Sequence, residues 1–87
     1  SIWSGSFLKG WADNLLLVSA IPDIDGNSAI LHLRETEGKK AVLGLYNGKS
    51  EKPIDLIQTD VTGDPVKNGN NVFNPLESKF FRMTINE

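Results

Sequence analysis

The stretch DGNSAILHLRETEG, Asp25 to Gly38, decides how the chain reads. From Ser28 to Glu35 the residues alternate. Ala29, Leu31 and Leu33 fall on one side, and Ile30, His32 and Arg34 on the other. A two-residue period is that of a half-buried β-strand. Asp25-Gly26 before it signals a hairpin turn, and Gly38 after it signals another. The same stretch holds a histidine, an arginine and two glutamates, the residue types of acid–base sites. On a strand, though, His32 and Arg34 share one face, Glu35 takes the opposite face and Glu37 belongs to the turn. The four are expected to form a solvated strand face and turn. His32→Ala and Glu35→Ala should then change stability little.

Working outward, the same period recurs. NLLLVSA (Asn14 to Ala20) is rich in apolar residues and is expected to be covered on both faces. AVLGLY groups Ala41, Leu43 and Leu45. In PIDLIQTD, Ile54 and Leu56 share a face and Ile57 opposes them. KFFRMTIN sets Phe81, Met83 and Ile85 against Phe80, Arg82 and Thr84. NNVF and GSFL are shorter candidates. Asn47-Gly48, Gly63-Asp64-Pro65 and Asn68-Gly69 add turn signals at strand-like intervals. The segment Asp60 to Asn71 reads as the longest loop, divisible at PVK into a short edge strand between two turns. No window of helical length keeps a 3.6-residue apolar stripe free of Gly or Pro. The expected fold is all-β, an antiparallel β-sandwich, with residues 1–87 forming a single domain.

The totals narrow the function classes. The chain has 87 residues, a net charge of -2 and no cysteine. Disulfides and thiolate metal sites are therefore excluded. Nine Lys and Arg without clustering argue against a nucleic-acid partner. The longest apolar run, LLLVSAIP, falls far short of the roughly 20 residues that span a bilayer, so no membrane partner is expected. Ser1 is not an initiator methionine, which suggests a domain excised from a larger chain.

Catalytic and metal motifs fail residue by residue. Placing Gly26 at the turn glycine of a calcium loop puts Ile21 at the first ligand position and His32 at the last, where a bidentate Glu belongs. The Asp60–Asn71 loop has Pro65 in the glycine position. A zinc site needs several converging ligands, and His32 is the sole histidine. No nucleophile elbow and no glycine-rich phosphate loop occurs. Catalytic, cofactor-binding and metal residues are accordingly expected to be none. The remaining candidates are aromatic: Trp3, Trp11, Tyr46 and Phe80, as interface or sugar contacts. Phe80 and Phe81 are adjacent, so only one can face the core.

Three stretches together resemble the C-terminal β-sandwich domain of glycoside hydrolase family 38, the α-mannosidases. They are FLKGWADNLLLVSAIPDIDGNSAILHLRE, EGKKAVLGLYNGKSEKPIDLIQTD and NPLESKFFRMTI. The last is similar to the closing strand of such chains. Glu35 follows Arg34 without the aromatic that the pattern commonly carries. The resemblance implies a non-catalytic accessory domain packing against the remainder of the parent enzyme. The family's zinc, nucleophilic Asp and zinc ligands belong to a separate N-terminal domain, so none transfers to a residue here. It also implies a periplasmic or secreted location if the parent is a bacterial glycan-degrading enzyme. The alternative expectation is an autonomous carbohydrate-binding module using Trp3, Trp11 or Tyr46. Under the first reading, some of Trp3, Trp11, Ile30, Ile57 and Phe80 should form an apolar docking patch.

Overall fold

The computed structural model describes residues 8–9, 12–24, 27–47 and 52–84. Trp3, Trp11, the Asp25-Gly26 turn, Gly48 and Ile85 lie outside the described residues. Eight strands are present among those described. They are β1 (Leu8–Lys9), β2 (Leu15–Pro22), β3 (Ser28–Glu35), β4 (Ala41–Val42), β5 (Tyr46–Asn47), β6 (Asp55–Thr59), β7 (Val72–Phe73) and β8 (Ser78–Thr84). No helix occurs among them. The fold is all-β and antiparallel, as expected.

One layer is a four-stranded sheet in the order β2-β3-β8-β6. The decisive stretch lies at its centre, because β3 pairs with β2 on one side and β8 on the other. Its alternation holds: Ala29, Leu31 and Leu33 are buried, while Ile30 and His32 are only half-buried and Arg34 is exposed. In β8, Phe81 and Met83 join the buried face and Phe80, Arg82 and Thr84 take the other.

The second layer of the sandwich consists of short pieces. Ala41, Leu43, Leu45, Ile54 and Phe73 form one hydrophobic core with the inner face of the sheet. The pair β4–β7 supplies Ala41 and Phe73 to this cover, and β1–β5 forms a separate two-stranded pair. Leu43 N–H donates to Asn71 C=O and Ile54 N–H to Leu45 C=O, which tie the segments between strands. The Phe73 and Phe81 rings meet across the layers at 5.8 Å. Ile54 and Leu56 face inward and Ile57 outward, in agreement with the sequence. Within the expected loop, Pro65 makes a single bridge to Thr59.

The expectation for NLLLVSA is overturned. Only Leu15 in β2 is buried, and every residue from Val18 to Pro22 is exposed. Two physical causes combine. This strand lies at the sheet edge, where the core covers only Leu15 and part of Leu17, and the register shifts between Leu17 and Ser19. Such a bulge switches which side chains face inward beyond it.

Candidate functional site

Glu35 is the largest departure from the sequence reading. It continues the parity of Leu31 and Leu33, so its side chain enters the inner layer and is fully buried. Five donors surround the carboxylate. Oε1 accepts from the N–H groups of Gly38 at 2.7 Å, Lys39 at 3.0 Å and Leu76 at 2.9 Å. Oε2 accepts from Asn14 Nδ2 and Glu37 N–H, both at 2.8 Å. Gly38 supports the wrap with φ of 74°, a conformation that side chains resist. Leu76 adopts φ of 62°, and its N–H is held by Glu35. The carboxylate therefore joins the chain before β2, the turn after β3 and the turn before β8.

Burial pushes the Glu35 carboxyl pKa up, but hydrogen bonds from Leu76, Glu37, Asn14 and Lys39 outweigh it and hold it at about 2. A group this acidic, inaccessible and fully bonded serves neither as a base near neutrality nor as a ligand. Its role is structural. Because the folded pKa lies below the ordinary 4.5, the unfolded chain binds the extra proton. The stabilisation is complete above the unfolded value and is lost as pH falls through the interval from 4.5 to about 2. Denaturant melts should show wild type losing more stability across that interval than Glu35→Gln does. Parallel profiles would reject this.

The outer face of the sheet holds the other half of the opening stretch. His32 stacks on Phe80 with ring centroids 4.3 Å apart and planes inclined by 17°. Arg34 is exposed and reaches Ser78 Oγ at 3.4 Å. His32 and Glu35 thus lie on opposite faces and do not converge. One row across this face is mostly apolar: Ile21, Ile30, Arg82 and Ile57 are successive register partners. Ile21 is 64% and Ile57 51% exposed, and Ile30 is half-buried. The Arg82 head is drawn aside, to Asp23 at 2.7 Å and to Gly63 C=O at 3.2 Å.

Beside the edge strand β6 lies a cavity of about 430 Å³. Leu56, Ile57 and Gln58 form one wall, the 66–71 segment the other, and Phe81 also contributes. The segment is seated closely, since a Cβ on Gly69 would approach Gln58 Cβ to 2.9 Å. Gln58 Oε1 accepts from Asn70 N–H, and Asn71 Nδ2 donates to Leu43 C=O. Asn70 Oδ1 accepts from Val72 N–H and from Lys79 Nζ. Lys79 is itself buried, with Nζ 3.8 Å from Glu77 Oε1 and 5.7 Å above the Phe73 ring centroid.

Of the aromatic candidates, Tyr46 is exposed in β5 and Phe80 is half-buried on the outer face, while Trp3 and Trp11 lie outside the described residues. Among the described residues no three His, Asp or Glu side chains converge as metal ligands. Asp60 accepts from the Thr62 hydroxyl, then from the Asp64 and Thr62 N–H groups. These bonds lower its pKa, the Thr62 hydroxyl most, and tighten the turn. The sequence reading missed Glu35, Lys79 and the amide-lined cavity. Parity could have found the first two, since Glu35 follows Leu33 and Lys79 precedes Phe81 at strand spacing. No protein family, curated protein or solved structure matches the chain.

Proposed function

We propose that this chain is a non-catalytic accessory β-sandwich of an α-mannosidase-like glycoside hydrolase. It packs against the remainder of that enzyme through the outer face of its four-stranded sheet. The observation that carries the docking is the row Ile21, Ile30, Arg82 and Ile57, with Phe80 and His32 in the next row. Isolated exposed apolar residues are ordinary, but isoleucines at three of the four positions of one register row, with Phe80 in the next, support a contact surface. The nature of the enzyme rests on the three sequence stretches that resemble family 38.

Each Å² of that row covered by a neighbouring domain stabilises the assembly by about 25 cal/mol as an upper bound. Ile57→Ser and Ile21→Ser separate docking from internal packing, because both side chains already face solvent in the chain alone. In the chain alone each should shift the melting temperature by less than about 2 °C. In the whole enzyme the same changes should cost several-fold more. Equal, small effects in both settings would reject the docking face.

A further inference from the structure

The cavity beside β6 differs in chemistry from the outer-face row. None of its eight lining residues is charged. Three are amides, Gln58, Asn70 and Asn71, set among Leu56, Ile57, Val66 and Phe81. The structural bonds occupy one end of each amide: Oε1 of Gln58, Oδ1 of Asn70 and Nδ2 of Asn71. Among the described residues, Gln58 Nε2, Asn70 Nδ2 and Asn71 Oδ1 make no hydrogen bond to protein. Two groups that donate and one that accepts are therefore left on a scaffold whose other ends are fixed. A carboxamide locked at one end is preorganised at the other, which lowers the entropic cost of binding.

We propose that this cavity binds a compact, neutral, polyhydroxylated ligand the size of a single sugar ring. Hydroxyl groups both donate and accept, so they match a mixed amide lining. Ring C–H faces match the aliphatic wall. No charged side chain lines the cavity to meet a charged ligand directly. The volume falls within the range of small-molecule sites. An added peptide strand suits the cavity less well. The free edge of β6 is closed at one end by Ile54 N–H on Leu45 C=O and at the other by Val66 N–H on Gln58 C=O. Only a short gap remains between them. The proposal does not depend on the docking face, since only Ile57 belongs to both, the three amides belong to the cavity alone, and no parent enzyme is needed.

The test is an amide-resolved NMR titration of the chain with the methyl pyranosides of glucose, galactose and mannose, and with a neutral capped tripeptide. At least one glycoside should give saturable shifts at Gln58, Asn70 and Asn71, with dissociation constants in the millimolar range. Gln58→Glu keeps the acceptor for Asn70 N–H but removes the Nε2 donors, and should weaken binding about tenfold. Tyr46→Ala, outside the lining, should leave the affinity unchanged. The proposal is overturned if no glycoside shifts the cavity residues saturably, or if Gln58→Glu binds as wild type does. Loss of binding in Tyr46→Ala, or saturation by the tripeptide in place of the glycosides, would overturn it equally.

Discussion

Glu35→Ala should lower the melting temperature by roughly 10 °C or more, a large shift for one polar substitution in a domain of this size. Removing the carboxylate leaves five donors without their acceptor: four backbone N–H groups and the Asn14 amide. Those in the buried interior lose a bond without regaining water. The turn after β3 and the turn before β8 then lose their shared anchor. Leu76 also loses what holds its left-handed backbone.

Glu35→Gln should recover little of that loss despite its matching shape. Either orientation of the carboxamide turns an NH₂ group toward N–H donors, three at the Oε1 position or two at the Oε2 position. Thermal melts of the two variants decide the matter. A Gln variant within about 2 °C of wild type would mean that shape, and not acceptor capacity, organises the turns.

Phe81→Ala should cost about 3–5 kcal/mol, and Phe80→Ala, one residue away, about 1–2 kcal/mol. The difference follows from side alone. Phe81 is almost wholly buried, meets Phe73 across the layers and is a register partner of Leu31 and Gln58. Its removal opens a cavity in a well-packed interior, where the lost transfer energy and the void add. Phe80 is half-buried and loses mainly its stack on His32. Leu33→Ala, at the same layer, should fall at about 2–5 kcal/mol. Urea denaturation read by circular dichroism gives the order. A larger loss for Phe80 than for Phe81 would mean that the core lies on the other face. Against a total stability of about 5–15 kcal/mol, Phe81→Ala alone approaches the unfolding threshold.

The amino-acid order by itself determined the strands and their faces. SAILHLRE and KFFRMTIN follow a two-residue period over most of their length, so the period assigned Leu31, Leu33, Phe81 and Met83 to one side before any partner was known. The spacing of turn residues likewise implied short antiparallel strands. Three things were decided only by tertiary structure. The position of β2 at the edge exposed a run whose composition alone suggested double burial, because burial of a strand depends on what lies over it. The bulge at Val18, a local two-against-one pairing, then changed the side chains presented beyond it. Glu35 was placed inside because parity is geometric and indifferent to charge. Its burial became tolerable only when Asn14, the 37–39 turn and Leu76, up to 41 residues away from it, brought their N–H groups together. Such convergence is a property of the folded chain, and no single stretch of residues encodes it.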